Sequence, residues 1–344
     1  MMSKNVKVAF DLGNSSLKIV ALKKGMLELH ELPLPENLME EDNILMPHAF
    51  SAFLKKAKKD LRLPGGPAGL LLPSSKVICR LVTMPHMSVD QLMLNLPYEF
   101  NDFINGEPHQ YYCDYALCQD ESQPSATQEE QGGEQLTMMA AVVQRQQIQD
   151  YIHIFSAGGF SLKLILPQEM SLIQLVQNCR RERSEAPREY CFIDLGFLST
   201  RIYVVNGDRI QAARRIHIGC RDLDRVIADI FNMDPFLADA YKRSNHQGVL
   251  EDPRCMEVYE SIAVEVLKVI NFYHFTYRQS QLEGVYLIGG GAEIEPLRRL
   301  LEETLGLPAL TVNTLIPGGE GQGQGHNATF MGSLGLMAEP EKEG

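Results

Sequence analysis

The sequence predicts an α/β protein of two related domains, with a small α+β subdomain inserted into the first. Three observations predict it. A strand–turn–strand segment near the N-terminus returns in register past the middle of the chain. Each copy opens a run of apolar strands and amphipathic helices, the pattern of a sheet covered by helices. Between about 76 and 166 the texture changes to a separate set of strands and helices. At 344 residues, two domains of ordinary size are expected.

In chain order, residues 6–33 read as three strands. VKVAFDLG is a buried apolar run, LKIVALKKG alternates, and MLELHELPL alternates again after a turn at Lys24 and Gly25. Phe50, Phe53, Leu54, Ala57 and Leu61 then form one helical stripe opposite a lysine-rich face. Pro64, Gly65, Gly66 and Pro67 end that helix, and AGLLL follows as a buried strand. The inserted subdomain is expected at about 84–160. A strand VICRLVTM leads to a helix opening at Ser88, with Leu92, Leu96 and Phe100 on its apolar side. Two more strands run from Tyr111 to Cys118 and from Leu136 to Val143. The polar segment between them, QDESQPSATQEEQGGEQ, is expected to be a mobile hairpin tip. A helix at about 144–157, Gly158, Gly159 and the strand FSLKLIL complete the insert.

From Tyr190 the first pattern returns as CFIDLG, STRIYVVNG and DRIQAARRIHIG. Helices are expected at about 219–232, 235–244 and 254–280. VYLIGGG is a buried strand running into a glycine turn, followed by a helix from about Glu295 to Leu305. The tail reads as a glycine-rich loop and a last small-residue helix. Domain one is therefore expected at 1–167 plus about 315–340, and domain two at 168–314.

The repeat carries the chemistry. At a constant offset Asp11 meets Asp194, Gly13 meets Gly196, Ser16 meets Ser199, Lys18 meets Arg201 and Ile19 meets Ile202, and a turn glycine follows each copy at Gly25 and Gly207. Each D-x-G-x-x-S hairpin has small residues that leave backbone N–H groups and hydroxyls free to hold phosphate oxygens. Two such hairpins facing across a cleft would pinch a polyphosphate, with Asp11 and Asp194 placed to hold Mg²⁺ directly or through water. Lys18 would neutralise phosphate charge. A single D-x-G is an ordinary turn, and a lone triple glycine at Gly289, Gly290 and Gly291 an ordinary strand-to-helix corner. The D-x-G hairpin repeated in register, with the triple glycine as a third motif downstream, favours the phosphate reading.

Composition narrows the class. Hydrophobic residues make up 44% and charged residues 22%, the balance of a globular chain. A net charge of −12 argues against nucleic acid as a partner. No run reaches the roughly 18 apolar residues of a membrane span, and MMSKNVKVAFDLG enters a strand without an apolar leader, so a cytoplasmic protein without direct membrane insertion is expected. The cysteines at 79, 113, 118, 179, 191, 220 and 255 form no framework and read as reduced thiols, and no structural metal is expected.

Two D-x-G hairpins followed by strand–GGG form the phosphate-1, phosphate-2 and adenosine pattern shared by actin, sugar kinases and heat-shock chaperones. More narrowly, the chain resembles the PilM family of type IV pilus assembly proteins from about Lys7 to Ala338. The resemblance is carried by VAFDLGNSSLKIVAL, LVTMPHMSVDQLMLNLPYEFNDFI, LILPQEMSLIQL, FIDLGFLSTRIYVVNGDRI, IHIGCRDLDRVIADIF, LADAYKR and GVYLIGGGAEIEPLRRLLEETLGLP. It implies a duplicated, ribonuclease-H-like actin fold with ATP in the interdomain cleft. Gly13, Asn14, Ser15, Ser16 and Lys18 would face the phosphates from one side, and Gly196, Ser199 and Thr200 from the other. Asp239 and Lys242 match the acid-x-x-Lys helix that reaches the ribose and adenine, and Gly289 to Gly291 pass the adenosine. Glu169 matches the connecting-helix acid that positions the attacking water in active relatives; its alternative is a helix-start acid favoured by the dipole. Phe197 and Leu198 stand where relatives favour small or polar residues and narrow the terminal-phosphate pocket, so ATP binding is expected and hydrolysis is left open.

The resemblance also implies recruitment. The expected partner is the N-terminal cytoplasmic peptide of a PilN-like single-pass inner-membrane protein, with other pilus motor components beyond it, so the chain is expected at the inner face of the plasma membrane. The Met- and Leu-rich surface of the insert, with Met84, Met87 and Met93, is expected to contribute to the groove, though such residues are more often core filler. An FtsA-like division protein is one alternative, disfavoured by the acidic ending LGLMAEPEKEG, which lacks an amphipathic membrane helix. A small-molecule kinase is the other, and it needs a cleft base for which Glu169 is the candidate.

Overall fold

The computed structural model describes residues 6–118, 135–183 and 188–315. The expected hairpin tip at 119–134 and the tail, including the 315–340 return to domain one and its acidic end, lie outside the described residues apart from Leu315. Three strands open the chain, β1 (Val8–Leu12), β2 (Ser16–Lys23) and β3 (Met26–Pro33), followed by a short ribbon of β4 (Met39–Glu40) and β5 (Asn43–Ile44). Helix α1 (Pro47–Asp60) leads to β6 (Pro67–Leu72). Then come β7 (Ile78–Pro85), α2 (Val89–Asn95), β8 (Tyr111–Leu117), β9 (Gln135–Gln144), α3 (Arg145–Ala157) and β10 (Ser161–Pro167). Helix α4 (Gln168–Arg183) crosses to the second half, with β11 (Glu189–Leu195), β12 (Thr200–Asn206), β13 (Arg209–Ile216), α5 (Cys220–Phe231), α6 (Pro235–Arg243) and α7 (Pro253–Thr276). Finally β14 (Val285–Ile288), α8 (Glu295–Leu305) and β15 (Ala309–Thr311) complete the described chain.

The duplication legible in the sequence is a duplication of topology. One sheet runs β10-β6-β1-β2-β3 and the other β15-β14-β11-β12-β13. In each, the first three strands pair antiparallel and the last two join parallel, reached through helices. The central strands β1 and β11 are buried on both faces, which is why they read as unbroken apolar runs. Lys24 and Gly25 both take positive φ, 49° and 81°, the type I′ hairpin whose twist matches the strands it joins.

Each half has its own core. In the first, Phe10 meets Phe155 of α3 edge-on at 5.1 Å and Phe160 at 4.7 Å, and Phe50 and Leu54 of α1 fill the same space. In the second, Leu172 and Val176 of α4 and Val266 and Ile270 of α7 cover the sheet. The insert is the antiparallel sheet β7-β9-β8, with a separate core of Val82, Met84, Leu92, Leu96, Phe100 and Met138. Ser88 caps α2 through a reciprocal capping box with Gln91, worth about 1 kcal/mol.

The sequence expectation for the insert is corrected at its far end. β10 pairs parallel with β6 as an edge strand of the first sheet, and Tyr151, Ile154 and Phe155 of α3 pack into the first domain's core. The insert's own sheet thus spans 78–144. The described residues contain no helix long and apolar enough to cross a membrane, and none of the seven cysteines is in a disulfide.

Candidate functional site

The site forms where the β1–β2 and β11–β12 hairpins meet across the gap between the domains. Their backbones match. Gly13 N–H donates to Ser16 O at 3.0 Å and Gly196 N–H donates to Ser199 O at 3.2 Å. A Cβ on Gly13 would stand 2.8 Å from Ser16 O, and one on Gly196 2.9 Å from Ser199 O, so neither turn admits a side chain without shifting. Asp11 pairs with Lys18 in one ladder and Asp194 with Arg201 in the other. Each cation leans back on its own acid, at 3.8 Å for Lys18–Asp11 and 3.7 Å for Arg201–Asp194.

The two carboxylates sense each other. Burial pushes the Asp11 carboxyl above its ordinary range, the Lys18 ammonium pulls it back, and the charge of Asp194 raises it again. Two acids facing each other in this way favour a cation between them. Among the described residues no cluster of three or more His, Cys, Asp or Glu is arranged to hold a metal by itself. That donor set suits Mg²⁺, which is commonly held by one or two carboxylates together with phosphate oxygens.

Gly289, Gly290 and Gly291 turn off β14 against the second hairpin. Gly289 has φ 84°, and a Cβ there would lie 2.5 Å from Asp194 Oδ1. Gly291 is equally confined by Leu195 and Cys220, whereas Gly290 is exposed with open space beside it. Gly219 plays a matching role that the sequence reading missed, since a Cβ there would lie 2.5 Å from Phe197 O and 2.6 Å from Ser199 N. Its signal was the HIGC turn just before α5.

Other expected residues are placed differently. Asn14 reaches out of its hairpin to Asp42, donating from Nδ2 to Oδ1 at 2.6 Å and accepting the Asp42 N–H at 2.9 Å. Ser15 is exposed, and Ser16 donates its hydroxyl to Glu31 at 2.8 Å. Ser199 and Thr200 are buried, and Thr200 spends its hydroxyl on Ile218 O at 3.0 Å, holding the hairpin to the following chain. Lys242 is buried between Asp224 at 2.6 Å and Asp239 at 3.0 Å. Burial pushes Asp239 up, but Lys242 and Arg243 outweigh it and hold its carboxyl below the usual range. Arg243 donates from the same helix to Glu31 of the first domain at 3.3 Å, tying α6 to β3.

The residue that enters the cleft from α4 is Gln168, not Glu169. Gln168 Nε2 donates to Asp194 Oδ2 at 2.8 Å and its Oε1 accepts from Arg201 at 3.3 Å. Glu169 is buried and its Oε2 has no hydrogen-bond partner. Burial raises its carboxyl to about 7, with Arg201 pulling the other way.

The sequence also missed Asp42. It is 2% exposed and accepts from Asn14, Ser75 and, across the domain gap at 3.3 Å, Arg201. Glu41 and Asp42 form the β4–β5 turn at φ 46° and 63°, a left-handed pair costing non-glycine residues about 1 kcal/mol each. Such strain persists where surrounding bonds over-determine it, and here they do.

The duplicated sheets, the paired hairpins and the glycine corner define a protein of actin-like fold. The family model for type IV pilus assembly protein PilM matches residues 9–316, so the chain belongs to that family. Among solved structures it is similar to a PilM–PilN type IV pilus biogenesis complex, at 23% identity over 98% of this chain and 100% of that chain, with a TM-score of 0.79. It is also similar to ethanolamine utilization protein EutJ from Carboxydothermus hydrogenoformans, at 14% identity over 97% and 89% of the two chains and a TM-score of 0.58. MreB 5 of Spiroplasma citri bound to AMPPNP is similar at 10% identity over 95% and 94%, with a TM-score of 0.53. These structural likenesses establish the shared fold.

Proposed function

We propose that the chain is an ATP- and Mg²⁺-binding scaffold of a type IV pilus, or related type II secretion, assembly machine that recruits the N-terminal cytoplasmic peptide of a PilN-like inner-membrane protein. The observation that carries the nucleotide reading is the pair of geometrically matched hairpins with Asp11 and Asp194 in electrostatic reach. The donor set fits. Lys18 would meet phosphate charge, Gly13 and Gly196 let each hairpin close tightly on itself, and the two acids would hold the metal. Mg²⁺·ATP, when bound, would supply a cation that relieves the repulsion between those acids and a polyanion for the two basic residues. Lys18 and Arg201 would then meet the polyphosphate from opposite sides of the cleft, and the rearrangement between the domains would shape the partner groove. MreB 5 of Spiroplasma citri, whose fold this chain shares, is bound to AMPPNP in its structure, which supports a nucleotide-binding reading.

Partner recruitment is supported by family membership and by the similar PilM–PilN complex. The insert offers an apolar face for it. Val89, Leu94, Tyr98 and Phe103 are all more than half exposed on α2 and the turns after it, while Met84 is core and Met93 lies at the surface. An exposed apolar face of this kind suits the alternate side chains of an extended peptide. Through that partner the chain would work at the inner face of the plasma membrane.

Thermal melts test the cleft: Mg²⁺·ATP should raise the melting temperature of the wild type and not of Lys18→Ala. An equal rise in both would remove Lys18 from the site. Fluorescence anisotropy of a PilN-like N-terminal peptide tests recruitment, and binding that ignores both nucleotide and Leu94→Glu would contradict the scaffold reading.

A further inference from the structure

Arg201 is the second hairpin's counterpart of Lys18, yet it does something Lys18 does not. It crosses the domain gap. Its Nη atoms are spread over Asp42 at 3.3 Å, Gln168 at 3.3 Å and Asp194 at 3.7 Å, none at the 2.7–2.9 Å of a strong charge-assisted bond. Its Nε is buried without a hydrogen-bond partner. The guanidinium is therefore poorly satisfied where it stands, with one donor unused. Phosphate matches the planar fork of an arginine better than three scattered acceptors do. Gln168, which shares the site, is the first residue of α4, an end whose dipole favours an anion.

Asp42 can release Arg201 without being stranded. Asn14 at 2.6 Å and Ser75 at 2.5 Å serve both of its oxygens. Ser75 belongs to the short link between β6 and β7, the root of the insert. Neighbouring Ser74 accepts from Tyr203 of β12 at 3.3 Å, and Lys76 donates to Asn43 at 2.5 Å. One polar chain thus joins the first hairpin, the strained β4–β5 turn, the insert root and domain two.

We propose that Arg201 senses the terminal phosphate of a nucleoside triphosphate, trading Asp42 for it and so loosening domain two from the root of the insert. This rests on the nucleotide reading above and adds to it the residue that tells a triphosphate from a diphosphate. It also gives a route from the cleft to the surface proposed to take the partner. The two ends of the Arg201–Asp42 bridge then act in opposite directions: Arg201 favours the triphosphate, and Asp42 competes with it.

Calorimetric titration with Mg²⁺·ATP and Mg²⁺·ADP separates these roles. Arg201→Gln should lower ATP affinity about tenfold more than ADP affinity, the scale of one charge-assisted contact. Asp42→Asn should raise ATP affinity. Arg201→Lys, which keeps the charge and loses the fork, gives an ATP-to-ADP ratio between wild type and Arg201→Gln, and it serves if the glutamine variant does not fold. Equal losses of ATP affinity in Arg201→Gln and Asp42→Asn would mean that the bridge is only a staple, and the proposal would fail. An unchanged ATP-to-ADP ratio in the Arg201 variants, beside a weakened Lys18→Ala, overturns the proposal and leaves the nucleotide reading standing. A wild type that binds neither nucleotide overturns both.

Discussion

Replacing Glu169 by Gln should change how stability depends on pH by an amount that the structure sets. Glu169 is 5% exposed, and burial raises its pKa from 4.5 to about 7 against the opposing pull of Arg201. An acid with a raised folded pKa holds its proton more tightly in the folded chain. Between about pH 4.5 and 7 the unfolded chain has released that proton and the folded chain has not, so stability falls as pH rises through this window. Integrating from pH 5 to pH 8 gives a loss of about 2.5 kcal/mol from this carboxyl alone. The Gln side chain carries no such proton, and the other titrating groups are common to both proteins. Denaturant melts of wild type and Glu169→Gln at pH 5, 6, 7 and 8 should therefore diverge in favour of the variant by about 2.5 kcal/mol. Parallel curves would refute the reasoning, because Glu169 would then be ionised in the folded chain at the same pH as in the unfolded one.

Other outcomes follow from the same geometry. Lys242→Met strands the buried carboxylate of Asp224 and should cost about 3 kcal/mol in a denaturant melt, most of it regained in a Lys242→Met, Asp224→Leu double variant. Gly289→Ala combines a forbidden φ of 84° with a Cβ 2.5 Å from Asp194 Oδ1, so it should lower stability by about 2 kcal/mol or more and weaken nucleotide binding as Asp194 shifts. Leu94→Glu puts a charge on the exposed face of α2, and should abolish peptide anisotropy change while leaving the melting temperature within about 2 °C.

The paired hairpins were legible in the sequence because their requirements are local. A glycine two residues past each aspartate is dictated by the carbonyl three residues on, and a cation seven residues past it by the antiparallel ladder. What escaped was set by contacts between distant segments. Nothing local marks Asp42 as the acceptor for Asn14, Ser75 and Arg201, although its strained turn explains why those bonds are needed. The strand Ser161–Pro167 has an alternation that fits any sheet, so its pairing with β6 could not be read from its own residues. At the start of α4 one residue is a rotation of about 100°, and that rotation puts Gln168 in the cleft and buries Glu169.

In the proposed site Asp11 and Asp194 would bracket a metal-bound nucleotide between the domains. Isothermal titration of the wild type with ATP, with and without Mg²⁺, and of Asp11→Asn under the same conditions, tests it most directly. One site per chain, binding that depends on Mg²⁺, and loss of that dependence in Asp11→Asn are expected. Equal affinity with and without Mg²⁺, or an Asp11→Asn protein indistinguishable from wild type, would contradict it.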